Sequence, residues 1–232
     1  MVLARFRKLC LDAVDPSVVG PFWAAVLDRR WQPDGTGEGG VAGPAPEHML
    51  WVDLVPEPKT VKHRVHLDIY ARSLADVERL GAAVVLPEGD DRTWTVMTDP
   101  EGGEFCAFLR DEPPADRLHG LVVDSADPHA QARWWADVYG GRLVEDPRGF
   151  ATVEDVPGMP ILTMDFVPVP EPKTVKNRVH WDVTVRDVSP LLDAGASVLR
   201  SPGGDVSWYV LADPEGNEFC AVVDAEGQDG RR

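Results

Sequence analysis

The sequence predicts an α+β protein built from two tandem copies of one domain, and an internal repeat carries the prediction. Residues Glu57-Pro58-Lys59-Thr60-Val61-Lys62-His63-Arg64-Val65-His66-Leu67-Asp68 return 114 residues later as Glu171-Pro172-Lys173-Thr174-Val175-Lys176-Asn177-Arg178-Val179-His180-Trp181-Asp182. At the same spacing, WTVMTDPEGGEFCA (94–107) returns as WYVLADPEGNEFCA (208–221). Upstream, DAVDP (12–16) answers to DSADP (124–128) at a spacing of 112, so two residues are inserted in between, visible as the doubled Val-Pro of 167–170. Solenoid repeats run to about 20–50 residues, so each copy here is a whole domain. Residues 1–112 form the first and 118–224 the second. Residues 113–117 link them, stiffened by Pro113 and Pro114, and 225–232 are a polar tail expected to fray.

Within each copy the order strand, helix, three strands occurs twice. In the first copy, apolar alternation predicts strands over Phe6–Ala13, His48–Val55, Arg64–Tyr70, Thr93–Thr98 and Glu104–Leu109. Helices are expected over Pro16–Leu27 and Leu74–Gly81, and the Gly- and Pro-rich stretch Pro33–Pro46 reads as a mobile loop. The second copy opens with a strand over Leu118–Ser125. Asp127-Pro128 then starts a helix, the Asp capping free amides and the Pro preset for the first turn. Ala132, Trp135, Ala136 and Tyr139 share a face of that helix, which stops at Gly140-Gly141. Strands follow over Gly141–Asp146, Phe150–Glu154, Met159–Val167 and Arg178–Val185. A short helix near Val188–Ala194 precedes strands over Ser197–Arg200, Ser207–Ala212 and Glu218–Val223.

Composition bounds the partners. A net charge of −16 repels phosphate backbones and anionic lipid, so neither nucleic acid nor membrane is expected, and a cationic small-molecule ligand is favoured. No stretch approaches the roughly 18 apolar residues of a membrane span, and the N-terminus reads as a strand rather than a secretion signal. Three cysteines make no disulfide framework, which points to reduced thiols in the cytoplasm. Lys59, Lys62 and Arg64, with their copies Lys173, Lys176 and Arg178, form the one basic cluster; they pair with nearby carboxylates or hold an anion.

Alternation places candidate site residues. His66 and Asp68 project from one strand face about 6–7 Å apart, as do His180 and Asp182. Glu104 and Cys106 share a face, as do Glu218 and Cys220, while Phe105 and Phe219 point the other way. Asp12 and Asp124 end matching strands and either line a site or cap the following helix. Nucleophile elbows, phosphate loops, dinucleotide fingerprints and HExxH are all missing, which argues against covalent and nucleotide-dependent chemistry.

The doubled module and its DPEGN turn before the last strand resemble the vicinal oxygen chelate superfamily. The strings KTVKNRVHxD and DPEGNEFC resemble its glyoxalase-like, bleomycin-resistance-like branch. The resemblance runs from about Ala4 to Val223; Asn177 and Asn217 keep the pattern, while His63 and Gly103 depart from it. It implies two modules per domain curving into a cup-shaped mixed sheet, helices outside, with a ligand or metal inside. The fifth and eighth strands would lie side by side, and Trp94 and Trp208 would flank the cup, either as core or as stacking platforms. Metalloenzymes of the superfamily draw ligands from the first strand, from a His opening the fifth and from a Glu on the eighth. Those positions fall here on Lys8 and Gly120, on His66 and His180, and on Cys106 and Cys220. One ligand in three survives per domain, so no metal or other cofactor is expected, with a divalent ion as runner-up.

The resulting expectation is a small-molecule-binding protein of the sequestration or resistance kind. One alternative is a lyase or isomerase using His66 or His180 as general base beside Asp68 or Asp182. The other is a divalent-metal enzyme with His/Glu/Cys ligands. The second domain, which keeps Asn177 and Asn217, is the expected working site. The assembly is either a monomer with an internal pseudo-dimer or a homodimer.

Overall fold

A computed structural model describes residues 2–90, 92–204 and 206–224 of the chain; the tail at 225–232 lies outside them. The first repeat runs β1 (Arg5–Ala13), α1 (Pro16–Val26), β2 (Arg30–Pro33), β3 (Gly39–Ala42), β4 (Leu50–Leu54), β5 (Val65–Ala71), α2 (Leu74–Arg79), β6 (Ala83–Leu86), β7 (Thr95–Thr98) and β8 (Glu104–Leu109). The second runs β9 (Leu118–Ser125), α3 (Pro128–Tyr139), β10 (Arg142–Glu145), β11 (Ala151–Glu154), β12 (Thr163–Pro168), β13 (Val179–Val185), α4 (Ser189–Asp193), β14 (Ser197–Arg200), β15 (Tyr209–Ala212) and β16 (Glu218–Val223). Four βαβββ modules result, and they make two eight-stranded mixed sheets.

The sheets do not follow the repeat boundaries. One has the order β14-β15-β16-β13-β1-β4-β3-β2 and the other β10-β11-β12-β9-β5-β8-β7-β6. The first sheet is made from the two ends of the chain, the second from its uninterrupted middle. Antiparallel pairing of β1 with β13 and of β5 with β9 forms the two seams. The expectation that residues 1–112 and 118–224 each close their own cup is corrected in this respect: every sheet takes one module from each repeat.

Side-chain traffic fixes this pairing. Lys62 reaches Asp124 at 2.6 Å and Arg64 Nη1 donates to the Glu171 carbonyl at 2.7 Å. Their copies return the contact: Lys176 reaches Asp12 at 2.6 Å and Arg178 Nη1 donates to the Glu57 carbonyl at 2.7 Å. The KTVK segments therefore tie each repeat to the other.

Within a repeat, the modules are joined by aromatic packing on the helix-covered faces. Trp23 of α1 meets Phe105 of β8 edge-on at 5.2 Å. Trp135 of α3 meets Trp181 at 5.0 Å and Phe219 at 5.1 Å. Such pairs add about 0.5–1.5 kcal/mol each beyond the area they bury. The DPEG turns reinforce the joint. Glu101 accepts from the amides of Val14 and Asp15, and Glu215 from the Ser125 hydroxyl and the amides of Ala126 and Asp127. Asp15 and Asp127 cap α1 and α3, with a proline at the first turn of each.

Three strands depart from expectation. The Gly- and Pro-rich stretch is not a loose loop: β2 and β3 form a hairpin there, paired from Arg30↔Ala42 to Pro33↔Gly39, and Pro46–His48 make a 3-10 turn. Gly39 is required because a Cβ on it would lie 2.6 Å from the Gln32 carbonyl oxygen. β6 is a short edge strand exposed along its length. No helix among the described residues is long and apolar enough to cross a membrane.

Candidate functional site: two unlike cups

Each sheet has one face packed against helices and one left open. On the helix side Leu67, Ile69, Phe105, Leu121 and Val123 are at most 1% exposed. Alternation therefore turns His66, Asp68 and Tyr70 of β5, and Glu104, Cys106 and Phe108 of β8, to the open face. In the other sheet His180 and Asp182 of β13 and Glu218 and Cys220 of β16 do the same. As the register requires, Asp68 stands across from Cys106 and Asp182 across from Cys220.

The first cup, on β1–β4 with β13–β16, supplies its own cation. Lys8 lies 3.5 Å from Asp182 Oδ2 and 5.0 Å from the centre of the Trp51 ring. Cys10 Sγ donates to Asp182 Oδ1 at 3.5 Å. Burial, then the charge of Asp12, lifts Asp53 to about 7. His180 is held below the usual histidine value by burial.

The second cup, on β5–β12, has no counterpart of Lys8. Gly120 stands at that position, where a Cβ would lie 2.9 Å from Asp68 Cβ. Among the described residues no lysine or arginine reaches ion-pair distance of Asp68. Its Oδ1 is buried without a hydrogen bond. Burial first, then the nearby Asp165 carboxylate, raises Asp68 to about 8. Thr152 and Thr163 donate to Asp165 at 2.6 and 2.7 Å and hold it beside the site. His66 Nε2 is 3.6 Å from Asp68 Oδ1, too long for a hydrogen bond, and 3.5 Å from Cys106 Sγ. Burial drives His66 down to about 3, so His66 and Asp68 are both uncharged at neutral pH and make no ion pair.

An aromatic wall adjoins this centre. Tyr70 and His119 stack at 4.2 Å, Phe108 meets His119 edge-on at 4.8 Å, and Trp94 stacks on Phe108 at 5.7 Å. The guanidinium of Arg110 lies 5.0 Å from the Tyr70 ring centre, so the wall already attracts a cation. Strict alternation points His119 away from the cup. In the structure it is the extra residue of a β-bulge, because Asp68 pairs with Gly120 while Ile69 pairs with Leu118, and the bulge re-aims its ring. Tyr70 and Phe108 were not singled out from sequence, yet period-2 alternation from Asp68 and Cys106 reaches both.

Other expected residues have structural partners. Glu104 binds Lys59 at 2.8 Å and the His63 amide at 2.9 Å; Glu218 binds Lys173 at 2.6 Å and the Asn177 amide at 3.2 Å. Both carboxylates are occupied in anchoring the KTVK segments. Asp12 and Asp124 cap no helix and instead take Lys176 and Lys62. Trp208 is 37% exposed beside the first cup. Neither cup is confined to one repeat, so the second domain is not by itself a working site.

Donor sets for a metal differ between the cups. Cys10, His180 and Asp182 converge within 4.8 Å, as do His66, Asp68 and Cys106. Lys8 puts an ammonium against the first set, which therefore does not fit a dication. The second set carries no such cation. Zinc bonds of about 2.0–2.3 Å at tetrahedral angles put donors roughly 3.4–3.6 Å apart, and the separations from His66 Nε2 match.

An eight-stranded sheet of paired βαβββ modules, polar at its centre, defines a fold class, and a fold alone does not fix a reaction. The profile of the glyoxalase-like domain matches residues 8–108 and again 120–222, and the chain belongs to that family. Among solved structures it is similar to glyoxalase I from Zea mays, with a TM-score of 0.71, 14% identity, and 95% of this chain and 92% of that one covered. It is similar also to a putative dioxygenase from Bacillus subtilis, with a TM-score of 0.64, 14% identity, and coverage of 97% and 87%. The cppA protein from Streptococcus pneumoniae matches with a TM-score of 0.52, 10% identity, and coverage of 96% and 99%. At these identities the likeness is one of fold. No curated protein matches the sequence.

Proposed function

We propose that the protein binds a small molecule in the cup of β5–β12, holding a cationic group at Asp68 and a flat or apolar part on the wall of Trp94, Tyr70, Phe108 and His119. One contrast carries this reading. The first cup fills its polar centre with Lys8, while the second leaves Asp68 Oδ1 buried and unpartnered beside aromatic rings. A buried carboxyl whose one hydrogen-bond partner is the Cys106 thiol, with Oδ1 unpaired, costs the fold stability, and a ligand cation would offset that cost. In this reading the polar centre is supplied by side chains alone.

A general-base role for His66 or His180 has less support. His66, held near 3, has little drive to take a proton at neutral pH, burial also holds His180 below its usual value, and neither ring is oriented by a hydrogen-bonded carboxylate. A second reading is favoured by the donor spacing: His66, Asp68 and Cys106 would hold a divalent ion. Such an ion would polarise a ligand oxygen as a Lewis acid, leaving the aromatic wall to orient the remainder.

The probe benzyltrimethylammonium, whose charge does not titrate, separates the readings. We expect saturable binding that weakens at least tenfold in Asp68→Asn and in Trp94→Ala but not in Trp208→Ala. Affinity should rise from pH 6 to about pH 8, because a bound cation displaces the Asp68 proton. Binding unchanged in Asp68→Asn would refute the cation reading. Elemental analysis after equilibration with zinc and gel filtration is the second arm. One zinc per chain, lost in Cys106→Ala, would establish the metal reading instead.

A further inference from the structure

A cavity of about 300 Å³ lies outside both cups, where the two KTVK segments meet. It is lined by 57–64 from the first repeat, 175–178 from the second, and Asp12. Although the chain carries −16 overall, five lining side chains are cationic (Lys59, Lys62, Arg64, Lys176 and Arg178) and two are anionic (Asp12 and Glu57). Glu104, Asp124 and Glu101, which pair with Lys59, Lys62 and Arg178, are not among the lining residues.

Donor capacity remains after that pairing. The side chains of Lys62 and Lys176 are 59% and 51% exposed, and each ammonium spends one contact on a carboxylate while carrying three N–H groups. A second observation points the same way. His63 is 7% exposed, lines the cavity, and leaves Nε2 buried without a partner. Arg64 Nε is buried and unpartnered as well. Buried polar atoms of this kind are normally satisfied by protein, water or ligand.

We propose that this cavity is an anion site, taking one compact dianion, a phosphate group or a small dicarboxylate, bridged by Lys62 of one repeat and Lys176 of the other. A volume of about 300 Å³ lies at the small end of ligand pockets and admits a small metabolite. Arg64 and Arg178 immediately precede β5 and β13, the strands that carry His66 and His180. An occupied site would therefore brace the entry to both cups, whichever of them works.

The test is calorimetric titration with inorganic phosphate and, separately, succinate, at constant ionic strength set by chloride. The expected result is one site per chain for at least one anion, unchanged in Asp68→Asn and weakened at least tenfold in Lys62→Gln/Lys176→Gln. Preference between the probes tells phosphate from dicarboxylate. Hydrogen exchange on the unmodified protein gives a reading that survives a misfolded double variant: the bound anion should protect 57–64 and 171–178. Heat no greater than that of chloride, stoichiometry other than one, binding intact in a folded double variant, or protection confined to other segments would each overturn the proposal.

Discussion

Asp68 shows how one residue's surroundings set its chemistry. It and Asp182 occupy equivalent places in the repeat, yet Lys8 faces one and Gly120 the other. The difference should register as pH-dependent stability. The unfolded chain loses the Asp68 proton in the ordinary carboxylate range, whereas the folded chain keeps it to about pH 8. Folding stability contributed by that proton is thus present in acid and lost as pH rises toward 8. Asn carries no such proton, so Asp68→Asn should gain on the parent by at least about 1 kcal/mol between pH 5 and pH 8. Urea melts at the two pH values measure it, and parallel curves would show that Asp68 is ionised in the fold. Alternation alone found His66, Asp68 and Cys106. It could not find Asp165, which enters from β12, nor foresee that Gly120 leaves Asp68 without a cation.

Among the elements, the DPEG turns were the clearest in sequence and the most easily misread. Their recurrence invites a catalytic reading, but Asp213 accepts the amides of Glu215 and Asn217 and the Trp135 indole N–H at 3.2 Å, so the turn is a clamp on α3. The two departures in the first repeat compensate each other. Asn177 donates to Asn217 at 3.0 Å, whereas a Cβ on Gly103 would lie 2.7 Å from His63 Cε1. The larger ring fills the space that the missing side chain vacates. Gly103→Asn alone should cost about 1–3 kcal/mol by overpacking, and His63→Asn in the same chain should recover most of it. Additive costs in that double-mutant cycle would refute the pairing. β2, β3 and β6 were illegible for physical reasons: Gly39-Gly40 looks like a loop but lets Met49 and Trp31 pack close, and β6 lies exposed at an edge.

At the scale of the whole molecule, the period of 114 residues announced two copies of one domain but not which modules share a sheet. All four modules carry the same pattern, so periodicity is blind to the choice between pairing within a repeat and across repeats. The crosswise contacts of Lys62, Arg64, Lys176 and Arg178 decide it. Both cups consequently need both repeats, and the difference between Lys8 and Gly120 gives one cup an internal cation beside its aspartate and leaves the other without it. The most direct measurement is a crystal structure of the protein with bound benzyltrimethylammonium. The ammonium should lie beside Asp68 with its ring against Trp94 and Phe108. A probe seated instead at Trp51 and Asp182, displacing Lys8, would contradict the assignment of the working cup.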